Sequence, residues 1–273
     1  MRIKTTVAFL VLFVTLGQAA ASFEELEIGV ASQAMGGTGV VLTGPGSVLF
    51  NPASIAGMEG TAAVISGRLP FSNLDFGTYG LDGALPLAGE WSAGLSLRSF
   101  GGDLYGEQMA AVTFAGMLTD DMSFGVQPVI CRAEIAEGVS EYGSATAFAV
   151  NTGFQVRMYG RWLLAASMRN PFQARVGESG EYMKRRIDAG LRYEPSSGMM
   201  SAVTLSRDFN GTRLHAGQSL PLGAMTLMAG VQSSPVTVSG GLGTTVSGIQ
   251  LDYAVISHPK LDLTHQFGVT YDF

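Results

Sequence analysis

The glycine-rich run Gly36-Gly37-Thr38-Gly39 is the first stretch that could do chemistry, because such a turn can bring backbone N–H groups against a phosphate. A dinucleotide fingerprint also needs a preceding strand and a third glycine, and Leu42 stands where that glycine belongs. No P-loop lysine follows it. The three histidines, His215, His258 and His265, are scattered without ligand spacing, and Cys131 is the single cysteine. The sequence has no G-x-S-x-G elbow and no H-E-x-x-H run. The expectation is a non-enzyme with no catalytic residue, no metal and no cofactor. A lipase with a Ser–His pair meeting on a lipid face is the enzyme alternative.

The other reactive groups are charges spaced along alternating segments. Asp82, Asp188, Glu194 and Asp252 are expected to face the same aqueous interior as Arg68, Arg98, Arg157, Arg186 and Arg192. Two readings fit them: mutual ion pairing inside a narrow lumen, or a ring that selects solutes by charge.

The elements that must position these groups show in the hydropathy pattern. Residues 47% apolar and only 14% charged make a chain poor in charge for a soluble domain. Past the N-terminus, however, no apolar run approaches the ~18 residues that mark a transmembrane helix. The apolar residues are spread by alternation instead. In the last segment Leu263, Phe267, Val269, Tyr271 and Phe273 share one face, with Thr264, Gln266, Gly268, Thr270 and Asp272 on the other. Ile249, Leu251, Tyr253 and Val255 likewise oppose Gln250 and Asp252. The same period recurs through fourteen segments: 61–70, 75–86, 90–99, 107–118, 121–132, 144–158, 161–169, 184–195, 199–207, 212–221, 224–232, 235–243, 247–256 and 263–273. The pattern predicts an all-β fold, a fourteen-stranded antiparallel transmembrane barrel with lipid outside and water inside. A soluble β-sandwich also alternates, but its outer face would be richer in Lys and Glu.

Three further features agree. The connections alternate between tight turns and longer, more charged loops, including the "DFNGT" stretch, as the periplasmic and outer ends of an outer-membrane barrel do. Trp91, Trp162, Tyr193, Tyr271 and Phe273 fall at the tight-turn end and predict an aromatic girdle there. The chain opens with Arg2 and Lys4, the apolar run 7–16 and small residues to Ala21, which reads as a secretory signal peptide over 1–21. Its removal takes the 16 basic residues to 14 against 22 acidic ones, a net charge of −8 that offers no face for nucleic acid. The division expected is a signal peptide over 1–21, a luminal hatch over 22–60 and a barrel over 61–273. The location is the outer membrane of a Gram-negative-type bacterium.

Residues 34–58 are glycine-rich and apolar, so leaving them in the periplasm would expose Val, Leu, Phe, Ile and Met to water. The residues Gly29, Ala34, Met35, Gly36, Gly37, Asn51, Pro52, Ala53, Ala56, Gly57 and Met58 resemble the hatch of the FadL-like superfamily of outer-membrane proteins. The resemblance implies a fourteen-stranded barrel with a luminal hatch, in which Gly36, Gly37, Asn51, Pro52 and Ala53 form the gate. It also implies passage of small hydrophobic compounds such as fatty acids, sideways through a gap in the wall. Pro86 and Pro128 are the candidate strand interruptions for such a gap. The PorV/PorQ branch of the same superfamily implies the alternative, a non-transporting component of a secretion apparatus. Expected partners are outer-membrane lipid, the barrel-assembly machinery acting on Phe273, and either hydrophobic small molecules or secretion-system proteins.

Overall fold

A computed structural model describes Phe23 and residues 26–102, 105–135, 143–178, 181–195 and 197–273. The proposed signal peptide lies outside these residues. Fourteen antiparallel strands close on themselves. They are β1 (Ala62–Leu69), β2 (Thr78–Pro86), β3 (Trp91–Gly101), β4 (Tyr105–Thr119) and β5 (Met122–Ile135). Next come β6 (Ser144–Met158), β7 (Trp162–Arg169), β8 (Arg186–Tyr193), β9 (Met200–Asp208) and β10 (Gly211–Leu222). The last four are β11 (Met225–Gln232), β12 (Thr237–Val246), β13 (Ile249–Ile256) and β14 (Thr264–Asp272). Each strand pairs with its sequence neighbours, and β14 returns to β1 with Ala62 opposite Asp272 and Leu69 opposite His265. Every strand falls on one of the segments read from alternation, with ends shifted by no more than three residues.

Alternation works here because both faces of each strand meet a different medium. Ile65, Leu97, Phe114, Leu205, Leu227, Leu242 and Val269 all point outward and remain exposed. Their inward neighbours, such as Ser66, Ser96, Thr113, Ser206 and Gln266, are buried. Trp91, Trp162, Tyr193, Tyr271 and Phe273 all lie at the end with tight connections. The Trp162 ring sits 4.4 Å from that of Tyr193, and Tyr271 lies 4.7 Å from Phe273. At the opposite end the loop over 170–185 is the longest. The connection after Asp208 differs from the expected longer loop: it is a tight turn in which Asn210 N–H donates to the Asp208 carboxylate at 2.9 Å.

The interior departs from the expected water-filled lumen. Residues 26–58 run through it as one five-residue helix, α1 (Val30–Ala34), and three short 3-10 turns. α1 packs on β11–β14, the turn Gly39–Val41 on β7–β9, and the turn Pro52–Ile55 on β3–β6. A fourteen-stranded wall is too wide for its own side chains to fill, since about eight strands already set that limit. Here the inner face is mostly Ala, Ser, Thr and Gly, and the inserted chain supplies the missing volume. Val48, Leu49 and Ile55 bury against Ala84, Ala111, Ala115, Val129, Cys131 and Ala149. Val30, Met35, Val40, Val41 and Leu42 do the same against Ala165, Ala202, Met228 and Ala254. The inner face is therefore apolar where the side chains of the segment rest on it.

Pro86 ends β2 and keeps its place opposite Ser92, so it interrupts nothing. Pro128 sits inside β5, opposite Val150 of β6. On its other side the β4–β5 ladder stops at Ala111–Val129 and resumes in the same register at Phe114–Val126. Proline has no N–H to give, which accounts for the local loss of pairing. In its place the Gln127 amide donates across the seam to Thr113 Oγ1 at 2.8 Å.

The outward face predicts a depth-dependent cost for charge. Leu242, outward in the middle of β12 between Leu227 and Tyr253, is the test site. Leu242→Arg is expected to destabilise the barrel by about 2–4 kcal/mol in denaturant titrations in liposomes. An unchanged midpoint would show that this face does not meet hydrocarbon.

Candidate functional site

Two glycine sockets in the wall hold the luminal segment. The first receives the turn after α1. Gly36 and Gly37 take φ of +74° and +92°, which a side chain would strain. Gly217 of β10 and Gly230 of β11 are cross-strand partners. A Cβ on Gly217 would lie 2.2 Å from the Met35 carbonyl oxygen, and one on Gly230 2.1 Å from the Gly36 nitrogen. Backbone thus meets backbone with nothing between. The contact is fixed by the Gly36 N–H donating to Ser239 Oγ at 3.1 Å, and by His215 Nδ1 donating to the Gly36 carbonyl at 2.7 Å. Ser239 in turn donates to the Ala34 carbonyl.

The second socket receives Asn51-Pro52-Ala53. Asn51 caps the following 3-10 turn by accepting from the Ala53 N–H at 3.0 Å. Its amide donates to the Val40 carbonyl at 2.9 Å and to the Phe154 carbonyl of β6 at 3.4 Å. Gly125 of β5 and Gly153 of β6 face each other beneath it. A Cβ on Gly153 would fall 1.9 Å from Asn51 Oδ1, and one on Gly125 2.4 Å from the Pro52 carbonyl carbon. The tripeptide is therefore seated in the wall, with Pro52 supplying a fixed φ at the first position of the turn.

Between these sockets the segment divides the interior. Toward the longer loops lies a chamber of about 420 Å³. One side of it is apolar, formed by Met109, Val129, Cys131 and Ala149 of β4–β6 together with Leu26, Leu49 and Met183. The other side is charged, with Glu27, Arg169, Arg186, Asp208 and Arg213. Toward the tight turns lies a second cavity of about 840 Å³, bordered by Met58, Glu59, Trp91, Asp120, Asp121 and Arg157.

The structure places the expected luminal charges as follows. Arg98 donates to Asp82 at 2.7 Å, with both side chains buried. Asp188 accepts from Arg169 at 2.8 Å and from Arg186 at 2.9 Å, and also from the Ser206 hydroxyl. Arg192 donates to Glu194 at 3.2 Å and to the Val41 carbonyl at 2.9 Å. Asp252 accepts from Gln250 at 2.8 Å. Arg68 borders the outer chamber and Arg157 the inner cavity. Arg98, Arg186 and Arg192 thus sit in separate local pairs with Asp82, Asp188 and Glu194, and Arg68 and Arg157 border different cavities. Sequence reasoning missed Glu27, Arg169, Asp208 and Arg213. Glu27 bonds both Arg169 and Arg186, and Arg213 bonds Asp208. Arg169 closes its strand at the loop, which hid its inward direction. Among the described residues no three His, Cys, Asp or Glu converge as metal ligands. His265, on the outward face, bonds the Tyr253 hydroxyl at 2.6 Å and not a serine.

No family model and no curated protein matches the sequence. Solved structures do. The toluene transporter TbuX of Ralstonia pickettii superposes with a TM-score of 0.73 at 12% identity, over 92% of this chain and 100% of that one. The toluene transporter TodX of P. putida gives 0.71 at 12%, over 91% and 99%. A Pseudomonas aeruginosa FadL homologue gives 0.67 at 10%, over 90% and 98%. The chain has the fold of the FadL-type channels. At these identities the likeness lies in the backbone path, so the glycine sockets must be judged on their own geometry.

That geometry carries a prediction. Gly153→Val and Gly217→Val are each expected to unseat the luminal segment, and Asn51→Ala to weaken it by about 1–3 kcal/mol through the lost buried hydrogen bonds. Gly240→Ala is the control, because its Cβ would find no neighbour nearer than 3.6 Å. Limited proteolysis of the reconstituted barrel should cut within 34–58 in the socket variants only. Equal resistance in all four variants would show that the sockets do not hold the segment.

Proposed function

We propose that this protein is a FadL-type outer-membrane channel that takes small, neutral hydrophobic compounds from outside into the chamber beside β4–β6. The observation that carries the proposal is the wall formed by Met109, Val129, Cys131 and Ala149. It is an apolar surface that faces a charged one across a cavity of about 420 Å³. A pocket of that size suits a small organic molecule, and the apolar wall gives a neutral one a surface apart from the charged side. The similar structures TbuX and TodX are toluene transporters, which supports the same class of compound here. Fatty acids fit less well. Arg169, Arg186 and Arg213 already answer carboxylates of the protein, so an acid would have to displace one of them.

The luminal segment serves as the hatch in this reading, with Asn51-Pro52-Ala53 and Gly36-Gly37 as its fixed points. It blocks a straight path to the inner cavity. The seam between β4 and β5 is where we place the exit. Met109 and Val129 flank it on the chamber side, and backbone pairing is already missing beside Pro128. The protein performs passive transport and no catalysis. Assembly through the C-terminal Phe273 belongs to the same proposal.

Ala149→Asp places a carboxylate on the apolar wall. It is expected to lower uptake of a neutral monoaromatic compound into proteoliposomes about tenfold or more, equivalent to ~1.4 kcal/mol. Deleting residues 34–58 should raise single-channel conductance. Unchanged uptake and conductance in assembled variants would remove the transport reading. Co-purification of secretion components without any bound hydrophobic compound would favour the PorV/PorQ-like role instead.

A further inference from the structure

Four charged side chains on the polar side of the outer chamber form a closed ring. Asp188 accepts from Arg169 Nη2 at 2.8 Å, and Arg169 Nη1 donates to Glu27 Oε1. Glu27 Oε2 accepts from Arg186 Nη1 at 3.4 Å, and Arg186 Nε returns to Asp188 Oδ1 at 2.9 Å. Charges alternate around the ring, so each guanidinium answers two carboxylates and each carboxylate two guanidiniums.

The two carboxylates are not equivalent. Asp188 belongs to β8, its side chain is 3% exposed, and the Ser206 hydroxyl holds it as well. Glu27 is 31% exposed and is the one member of the ring that the wall does not carry. It belongs to the luminal segment, ahead of α1, between the buried Leu26 and Ile28. Removing Asp188 would take the one buried carboxylate from both guanidiniums and leave them only the partly exposed Glu27, which is costly. Removing Glu27 leaves Arg169 and Arg186 still tied to Asp188, with their outer arms turned toward the chamber. A carboxylate from solution could then present the same planar pair of oxygens that Glu27 presents now.

We infer that Glu27 is an exchangeable internal anion: it latches the segment ahead of α1 to Arg169 and Arg186, and a small organic carboxylate entering the chamber competes for that guanidinium pair and releases it. The inference rests on the reading that the chamber admits solutes from outside. It adds a site of opposite character to the apolar wall, on the facing side of the same cavity. It also makes the width of the chamber depend on the anions present, since Leu26 lines the cavity and moves with Glu27.

The protein contains its own reporter. Cys131 is the single cysteine of the chain, is buried, and lines this chamber opposite the ring. In the reconstituted full-length barrel, labelling of Cys131 by a water-soluble methanethiosulfonate should be slow in sodium chloride. It should rise saturably when propionate replaces chloride at equal ionic strength. Glu27→Gln should label about tenfold faster than wild type in chloride, the scale of one lost charge-assisted hydrogen bond, and should lose most of its response to propionate. Equal rates in propionate and chloride for the wild type would overturn the inference, because screening alone would explain any salt effect. A propionate response that persists undiminished in Glu27→Gln would overturn it too, as would a Cys131 that stays unlabelled in every case. The wild-type comparison stands even if the variant does not assemble. Labelling measures no transport, so failure of the latch and failure of the hydrocarbon reading are seen separately.

Discussion

Direct backbone contact between the inserted chain and the wall is the constraint on which the interior depends. A wall of fourteen strands leaves more room than its own inward side chains fill, and this one uses small side chains almost throughout. The space is occupied by about thirty residues of the same chain, a packing problem of the kind a protein core solves at near-crystalline density. Such a segment is too irregular to satisfy its own polar groups, so it borrows them from the wall. Ser239 and His215 serve the turn at Gly36, and Gln155 and Arg192 serve the carbonyls of Val40–Leu42. That borrowing requires approach to hydrogen-bond distance, and the approach requires paired glycines. The positions of Gly125–Gly153 and Gly217–Gly230 therefore decide where the segment crosses the lumen, and with it the floor of the outer chamber.

Electrostatics follow from the same filling. Once the lumen is occupied, inward Arg and Asp residues lose water and must be answered by protein. Arg98 and Asp82 do this across neighbouring strands, and Arg192 does it with Glu194 and a carbonyl of the inserted chain. Only at the ring of Arg169, Arg186, Asp188 and Glu27, within the described residues, does the inserted chain contribute a charge to the balance. The segment is thus anchored by shape in its middle and by charge at its start. The two kinds of anchor respond to different things. Shape contacts between backbones are insensitive to ions, while a partly exposed ion pair weakens as competing anions rise.

The strands were legible because lipid imposes one uniform rule on the outward face. Ile249, Leu251, Tyr253 and Val255 alternate whatever lies inside, so a period of two survives even where the inner residue is Ala or Gly. The same logic explains what was not legible. On β4–β6 the inward residues Ala111, Val129, Cys131, Ala147 and Ala149 are apolar as well, because they meet the inserted chain and not water. Alternation by polarity fades there and survives only as alternation by size. The sockets were hidden for a different reason. A lone strand glycine reads as weak propensity, and its meaning appears only when register sets Gly125 beside Gly153. Asn51-Pro52-Ala53 could be singled out through its resemblance to a known hatch, but its seat in the wall could not. Glu27 lies before any strand, where sequence patterns say nothing of a partner 142 residues away.

The interior is therefore divided twice, and the two divisions are not independent. Along the axis, the sockets separate an outer chamber from an inner cavity. Across the axis, the chamber has an apolar side on β4–β6 and a charged side on β7–β10. The apolar side contains the seam where Pro128 removes a donor and Gln127 bridges to Thr113 in its place. The same Gln127 amide lies 3.3 Å from the Val48 carbonyl of the inserted chain, and its oxygen accepts from Asn151 at 2.9 Å. One side chain thus links the unpaired stretch of the β4–β5 ladder to the segment that fills the lumen. In the proposed channel a neutral solute resting on Val129 and Ala149 would be adjacent to that link, and an anionic one would meet the ring on the far side. On that proposal the solute's own polarity would set its position across the chamber, and with it whether it meets the seam or the latch.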